Sequence, residues 1–367
     1  ANRWLPGYLR SQLRRPGLVQ GPVHLMFGIM DHYEPLNPGG KQPYELGMKR
    51  VARWRDQYRS FADQFHDADG RPPRHTFFYP EEEYHQDYLD VLTDLTRDGY
   101  GEVEIHLHHS HDDAEKLRRT LSGFRDRLRE DHGLLGSFSD GRLAYAFIHG
   151  NWALCNSDPN WCGVPEELTI LKETGCYVDM TMPSMGKPHQ TPIVNSIYYA
   201  TNKPGQSCSH FTGQHLKVKN PSNSPLKVLP DAGDLLCIQG PLAVNFGNRK
   251  WGLIPRIENA DVSGSNRPTP QRASVWINQH IHVAGRPDWI FIKLHTHGCV
   301  EANADALLGD AMADTHRFLN DLDPDAFQLH YVTAREMANI AKAAEAGASG
   351  NPGAYRDFQI QPPPVAG

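Results

Sequence analysis

The sequence contains no apolar run that approaches the roughly 18 residues needed to cross a bilayer. It also lacks an excess of positive charge, because 37 Lys and Arg stand against 43 Asp and Glu, for a net charge of −6. A protein that binds duplex nucleic acid usually has a strongly basic face, so this balance argues against nucleic acid as a partner. The composition is that of a soluble globular chain, and it leaves the choice between the cytoplasm and export open.

Several motifs of common enzyme classes are also missing. No G-x-G-x-x-G follows a strand and no G-K-[ST] occurs, which argues against the usual phosphate-binding loops. No G-x-S-x-G nucleophile elbow is present. The six cysteines include no C-x-x-C pair, and Cys176 and Cys237 are expected in the core. Cys155 and Cys162 are close enough in sequence to bridge a loop.

Histidine, in contrast, is abundant, with 20 copies, many of them near the ends of apolar, β-rich runs. These runs lie at 23–30, 75–79, 103–108, 143–148, 176–182, 235–239, 289–294 and 327–332. Helical patterns separate most of them, and the clearest places Val51, Trp54, Tyr58, Phe61 and Phe65 on one face. Strands that alternate with helices predict an α/β fold with a parallel sheet.

The number of β/α units favours a distorted (β/α) barrel of seven or eight units over an open sheet. No shift in composition marks a second domain, so one catalytic domain is predicted over residues 1–345. A stretch at about 185–234, rich in Pro, Asn, Ser and Lys, is predicted to leave the barrel as a long loop. Residues 346–367 are predicted to form a surface or disordered tail.

One stretch, residues 103–113 with the sequence VEIHLHHSHDD, carries the strongest chemical signal. Its first part alternates like a β-strand, so His106 and His108 are expected on the same face. Two imidazoles at this spacing bind one metal ion when a third ligand comes from elsewhere. Ser110 and Asp113 fit the S-x-x-D capping box that begins a helix. The histidines are therefore predicted at the end of a strand, where α/β folds have their active sites.

Other predicted strand ends also carry polar groups. They are Asp31 and His32 after the first strand, His149, Asn151 and Trp152 after the fourth, and His295 and His297 after the seventh. In a barrel these ends open onto one mouth. Imidazoles gathered there repel one another once they are protonated, and a divalent cation resolves that conflict. The sequence therefore predicts a metal site, and an imidazole-rich ligand set favours Zn²⁺.

These motifs resemble those of the polysaccharide deacetylases of the NodB-homology type, the carbohydrate esterase family 4 group in its wide sense. The resemblance covers about residues 23–300 and is carried by Met30–His32, Glu102–His108, Cys176–Asp179 and Ile292–His295. His32 stands where that family usually has a second aspartate. The usual H-[ST]-x-x-H is absent, and residues 149–152 replace a motif that normally contains an arginine.

The resemblance implies a NodB-like barrel hydrolase that removes an acetyl-like acyl group from an N- or O-acylated carbohydrate. In one assignment His32, His106 and His108 bind the metal, Asp31 is the general base and His295 is the general acid. In the other assignment Asp31 is itself a metal ligand and His32 lies behind it or takes part in catalysis. Pattern alone does not separate neighbouring strand-end residues, so both remain open.

On the substrate side, His149, Asn151, Trp152 and His297 are expected to line the site. The candidates to stack on a sugar ring are Trp152, Trp161 and Tyr33. Two rival functions remain. A glycoside hydrolase on a related barrel would need two facing carboxylates, such as Asp31 with Asp179 or with a glutamate at the mouth, and no metal. A non-catalytic carbohydrate-binding protein would keep the barrel and lack turnover.

Overall fold

A computed structural model describes residues 3–17, 19, 21–37, 39–186, 188–219 and 226–364. The α-helices are α1 (Trp4–Leu13), α2 (Tyr44–Ala62), α3 (Gln86–Arg97), α4 (Ala114–His132), α5 (Glu167–Glu173), α6 (Pro270–Asn278), α7 (Glu301–Leu307), α8 (Asp310–Asn320) and α9 (Ala334–Glu345). The strands are β1 (Val23–His32), β2 (His75–Pro80), β3 (Gly101–Leu107), β4 (Gly136–Phe138), β5 (Leu143–His149), β6 (Cys176–Asp179), β7 (Ile197–Ala200), β8 (Gly213–His215), β9 (Leu235–Ile238), β10 (Ala243–Lys250), β11 (Ile254–Glu258), β12 (Trp289–Thr296), β13 (Phe327–Tyr331) and β14 (Ile360–Gln361). Each of the eight apolar runs predicted from the sequence forms a strand. No helix in these ranges is both long enough and apolar enough to span a bilayer.

Parallel pairing joins the strands that carry the predicted site. β1 pairs in parallel with β12 along nearly its whole length, with β13 over its first half and with β2 over its second. The order continues through β3, β5, β6 and β9, all parallel, and ends in the antiparallel strands β7 and β8. The α/β prediction is confirmed as a large, mostly parallel sheet of barrel-like character. Among the described residues no ladder joins β8 to β12, so a closed barrel is not formed by strand pairing.

Alternation along β1 gives its two faces different surroundings. Phe27 and Ile29 pack in one hydrophobic cluster with Trp54 of α2. Met26 and Met30 pack in a second cluster with helix α9. Since successive strand residues point to opposite faces, the residues that follow continue this pattern. The side chain of Asp31 is therefore directed to the α2 side of the sheet, and the side chain of His32 to the α9 side.

Helix α9 lies on the sheet face opposite α2. It begins with a capping box, in which the Thr333 hydroxyl accepts from the backbone N–H of Glu336 and the Glu336 carboxylate accepts from the backbone N–H of Thr333. All of its residues are buried, which fits a helix rich in alanine that has no solvent face. The helix contacts both β1 and β5, which are separated by two strands of the sheet. The sheet therefore curves around α9.

The structure adds detail to two predictions about the less regular segments. The stretch 185–234 is not a plain loop, because β7 and β8 lie within it and β7 pairs with β9; residues 187 and 220–225 of that stretch lie outside the described residues. The segment 346–367 is not a free tail as far as residue 364, and its last three residues lie outside the described ranges. Its strand β14 pairs with β4, and Ile360 is buried. Both segments contain apolar runs too short to stand out against their polar surroundings.

One local prediction changes. Helix α4 is capped by Asp113 itself, whose carboxylate accepts from the backbone N–H groups of Glu115 and Lys116, so Ser110 is not its N-cap. Cys155 and Cys162 are both free thiols, so the candidate loop disulfide is not formed. Burial of Cys176 and Cys237 in the core is confirmed.

Gly28 shows how closely α9 and its N-terminal loop pack against β1. A Cβ at this position would lie 2.7 Å from the carbonyl oxygen of Val332 and 2.9 Å from Cε of Met30. We expect Gly28→Ala to lower the free energy of unfolding by about 1–3 kcal/mol, the usual effect of overpacking.

Gly123→Ala is the control, because Gly123 is an exposed helical residue with open space around it. It should raise stability by about 0.5–1 kcal/mol. Urea unfolding of both variants measures this difference, and equal midpoints would contradict the packing.

Candidate metal centre

Four parallel strands bring their carboxyl ends to one edge of the sheet. Asp31 of β1 pairs with Thr296 of β12, and Leu107 of β3 pairs with His149 of β5. The polar segments that follow these strands therefore start at the same edge, as the sequence predicted. Such an edge is where open and barrel α/β folds bind ligands.

A buried carboxylate, Glu34, lies at the centre of this edge. Its Oε1 is 3.2 Å from Nε2 of His106 and 3.2 Å from Nε2 of His108, and its Oε2 is 2.9 Å from Nδ1 of His297. The ring of His32 is 4.7 Å from the ring of His106 and 4.6 Å from that of His297. Potential ligand atoms of His32, Glu34 and His106 all lie within 4.8 Å of one another. We call these five residues the Glu34 cluster.

Glu34 was not among the residues selected from the sequence. It follows His32 by two positions, the same spacing that identified His106 and His108. A carboxylate two positions after His32 could have indicated a further metal ligand. However, β1 ends at His32, so strand alternation does not guarantee that Glu34 shares a face with it.

The electrostatics of the Glu34 cluster favour an ionised carboxylate beside neutral imidazoles. Burial alone would raise the pKa of Glu34, but hydrogen bonds with His106, His108 and His297 hold this pKa well below its ordinary value. Burial lowers the pKa of His106. Burial, followed by the charges of His297 and His106, lowers the pKa of His32 well below its usual value. Nδ1 of His32 is buried and has no hydrogen-bond partner among the described residues.

The pKa values of the other two histidines of the cluster, His108 and His297, are raised instead of lowered. Burial opposes a charge on His108, but hydrogen bonds with Glu34 and Glu82 raise its pKa to about 10. Burial also opposes a charge on His297, whose pKa is raised by its hydrogen bond with Glu34. The side chains of His108, His297 and Glu82 are 34%, 27% and 34% exposed, so solvent reaches this side of the cluster.

Asp31 is not part of this group. Its Oδ1 accepts from the backbone N–H of Gly298 at 2.6 Å, and its Oδ2 is 2.8 Å from Nε2 of His75. The carboxylate is fully buried on the α2 side of β1, where the ring of His75 lies 4.6 Å from that of Trp54. Because Asp31 and His32 are successive strand residues, they are directed to opposite faces. The structure thus brings Glu34, and not Asp31, to the imidazoles.

His295 and Trp152 border the cluster. The His295 ring is 6.4 Å from that of His32, and its Nδ1 is buried and without a hydrogen-bond partner among the described residues. Burial, followed by the charge of Lys293, lowers the pKa of His295 well below its usual value, so the ring is neutral at pH 7. The ring of Trp152 lies 5.2 Å from that of His32 and covers it.

An open cleft leads from the surface to Glu34 and His108, with a cavity volume of about 280 Å³. Asn151 lines this cleft, as predicted for a substrate contact, and Trp161 stands at its rim with half of its surface exposed. His149 is fully buried and does not line the cleft. Its ring instead lies 4.4 Å from that of His109, in a separate group of polar side chains.

Comparison with known proteins does not assign the chain to a family. No family model and no curated protein matches the chain. A crystal structure of a protein from Mycobacterium smegmatis, provisionally described as a polysaccharide deacetylase, is similar over 92% of this chain and 96% of its own, with a TM-score of 0.43 and 13% identity. A likeness of this size supports no conclusion about this chain.

Proposed function

We propose that the chain is a metal-dependent hydrolase that removes an acetyl-like group from an N- or O-acylated carbohydrate. The observation that carries this proposal is a buried carboxylate, Glu34, surrounded by imidazoles at the foot of an open cleft. His32, Glu34 and His106 are the proposed ligands of a Zn²⁺ ion, with His108 beside them. The strand-end motifs that resemble the NodB-type deacetylases agree with this reaction class.

The hydrogen bonds of His106 indicate that a cation fits here. Its Nδ1 is 3.1 Å from the carbonyl oxygen of Ile148, which can only accept, so the proton of a neutral ring lies on Nδ1. Nε2, 3.2 Å from the Glu34 carboxylate, then hydrogen-bonds to it only if the ring takes a second proton, which burial opposes; otherwise Nε2 directs a lone pair at the carboxylate. Two lone pairs at this distance repel each other unless a positive charge lies between them. A metal-bound histidine that donates its other N–H to a backbone carbonyl is the usual arrangement.

The ion, when bound, would lower the pKa of a water ligand and polarise the acyl oxygen. Glu82, which accepts from Nδ1 of His108, is placed to take up the proton of the attacking water. His297, whose pKa is raised by its hydrogen bond with Glu34, is proposed to donate a proton to the leaving amine or alcohol. This role was predicted for His295, but burial and the charge of Lys293 lower the pKa of that ring, and a neutral imidazole is a much weaker acid than an imidazolium. Asp31 acts as a positioning residue, because it holds Gly298 next to His297.

The cleft offers the groups that a carbohydrate requires. The exposed face of Trp161 suits stacking on a sugar ring, and Asn151 can hydrogen-bond a hydroxyl or the acyl oxygen. The Asp31–Asp179 pair suggested for a glycoside hydrolase does not line this cleft, although the glutamates Glu34, Glu82 and Glu83 do. Asp31 is bound to His75 and Gly298, and Asp179 accepts from Thr181; both are buried.

Acetate release from N-acetylated and O-acetylated oligosaccharides tests this proposal. We expect turnover by the Zn²⁺-loaded protein, loss of turnover after treatment with a chelator, and recovery when Zn²⁺ or Co²⁺ is added back. Activity that survives complete metal removal would contradict the proposal. Binding of the oligosaccharides without any acetate release by the metal-loaded protein would show instead a non-catalytic carbohydrate-binding protein.

A further inference from the structure

A second group of polar side chains lies beside the first, inside the protein and away from the cleft. It consists of His109 after β3, His149 at the end of β5, Cys162 in the following loop and Glu167 at the start of α5. Potential ligand atoms of these four residues lie within 4.8 Å of one another, and all four residues are buried. We call them the Cys162 cluster.

Three distances within the Cys162 cluster, all from the Glu167 carboxylate, are close to those between the ligands of one tetrahedral ion. Oε1 of Glu167 is 3.1 Å from Nε2 of His109 and 3.8 Å from Nε2 of His149, and its Oε2 is 3.6 Å from Sγ of Cys162. Zinc bonds of about 2.0–2.3 Å in a tetrahedron separate neighbouring ligands by roughly 3.3–3.6 Å. The three residue types of the cluster, His, Cys and Glu, are all zinc ligands in proteins.

The surroundings of Cys162 match those of a bound thiolate, because the backbone N–H of Val164 points at its Sγ, 3.4 Å away. Nδ1 of His109 lies 3.4 Å from the Asp112 carboxylate, but it forms no hydrogen bond among the described residues.

The cluster does not satisfy its own polar atoms. Nε2 of His149 is buried without a hydrogen-bond partner among the described residues, since Glu167 at 3.8 Å is too far. Burial, followed by the charge of Glu167, raises the pKa of the Cys162 thiol far above its ordinary value when no metal is present. A cation would satisfy the lone nitrogen and stabilise the thiolate.

We propose that the Cys162 cluster binds a structural zinc ion through His109, His149, Cys162 and Glu167, in a closed site distinct from the Glu34 cluster. Four protein ligands without an exposed position are typical of structural zinc and leave no coordination site for a substrate. The ion would tie together the segments that follow β3 and β5 and the start of α5.

Such an ion would fix the loop that carries part of the cleft. Residues 150–166 include Asn151 and Trp161 of the cleft and Trp152, which covers His32. Trp152, Cys155 and Asn156 have positive φ values of 59°, 52° and 52°, a conformation that non-glycine residues adopt only when their surroundings impose it. Binding at Nε2 of His149 also moves the ring proton to Nδ1. The 3.2 Å contact from the Asn151 N–H to that atom must then lengthen.

The rival account needs no metal. His109 would then be a protonated ring between Glu167 and Asp112; burial opposes this charge, but both carboxylates raise the pKa of His109 to about 9. Cys162 would remain a thiol, and Nε2 of His149 would remain without a hydrogen-bond partner among the described residues. The two accounts differ in how many ions bind and in whether sulfur is a ligand.

Metal content and the spectrum of the Co²⁺-substituted protein distinguish these accounts. We expect two Zn²⁺ per chain in the wild type, one in Cys162→Ala and one in Glu34→Gln. Cys176→Ala is the control, because Cys176 is a buried thiol outside the cluster, and it should keep both ions. Co²⁺-loaded wild type and Glu34→Gln should show a thiolate-to-cobalt charge-transfer band that Cys162→Ala lacks.

The outcomes separate this site from the proposed hydrolase centre. A single ion that Glu34→Gln removes, with no thiolate band, would overturn the second site and leave the first intact. A thiolate band without a second ion at the Glu34 cluster would support the second site and contradict the first. If Cys162→Ala does not fold, the band in the Co²⁺-loaded wild type still decides the question.

Discussion

Glu34→Gln is expected to weaken Zn²⁺ binding at the cleft by about 100-fold or more and to abolish acetate release. The substitution keeps the shape of the side chain but removes the negative charge that three imidazoles contact. A neutral amide is a poor ligand for an imidazole-coordinated zinc. Competition with a fluorescent zinc chelator measures the affinity, and acetate release measures the activity.

Glu81→Gln is the matched control. Glu81 precedes Glu82 in the same short 3-10 helix, but it does not line the cleft or contact the Glu34 cluster. It should keep the affinity and the activity of the wild type. Full zinc affinity at the cleft in Glu34→Gln would contradict the ligand role of Glu34. Loss of activity with unchanged affinity would also contradict that role, because it would assign Glu34 to proton transfer.

Glu336→Gln is expected to lower the free energy of unfolding by about 3–5 kcal/mol, the cost of removing one partner of a buried ionic network. The Glu336 carboxylate is 1% exposed, lies 3.1 Å from Nη1 of Arg356 and contacts Nη1 of Arg74. Its Oε2 also accepts from the backbone N–H of Thr333, at the start of α9. The substitution leaves two buried guanidinium groups without their shared counter-ion.

The same carboxylate predicts a pH dependence. Burial alone would raise the pKa of Glu336, but Arg74 and Arg356 hold this pKa at about 2, against an ordinary value of 4.5. Because the pKa is lower in the folded state, the stabilisation is fully present above pH 4.5. It is lost as the pH falls from there towards 2. Wild type and Glu336→Gln should therefore differ most in stability at neutral pH and converge in acid.

Glu301→Gln is the control for this prediction. The Glu301 side chain is 56% exposed and forms an ion pair with Arg50. A pair of this kind contributes about 0–1 kcal/mol. Urea unfolding at pH 7 and at pH 3 compares the three proteins. An unfolding midpoint of Glu336→Gln equal to that of the wild type at pH 7 would contradict the buried network.

Strand positions were predictable because hydrophobic runs bounded by polar residues are a local property of the sequence. The same-face placement of His106 and His108 followed from strand alternation, and the rings indeed lie 4.7 Å apart. Alternation also implied that Asp31 and His32 diverge. The resemblance to a family with two consecutive aspartates directed attention to both residues as members of one site.

Other features depend on contacts between distant segments and leave no local pattern. The residues of the Cys162 cluster come from three separate parts of the chain: the segment after β3, the end of β5 with its following loop, and the start of α5. Cys162 belongs to no C-x-x-C pair that would have marked it. The burial of α9 on every side depends on how far the sheet curves around it. The docking of Ile360 depends on Arg335 and Asn339 of α9, whose side chains donate to its carbonyl oxygen at 2.9 and 2.8 Å.

Anomalous diffraction at the zinc edge, from crystals grown with Zn²⁺, tests the central claim most directly. A strong peak is predicted within bonding distance of Glu34, with Nε2 of His106 and a nitrogen of His32 also in reach. A map of well-ordered crystals without density at that position, and with Glu34 bound to protonated imidazoles alone, would contradict the metal centre and the hydrolase built on it.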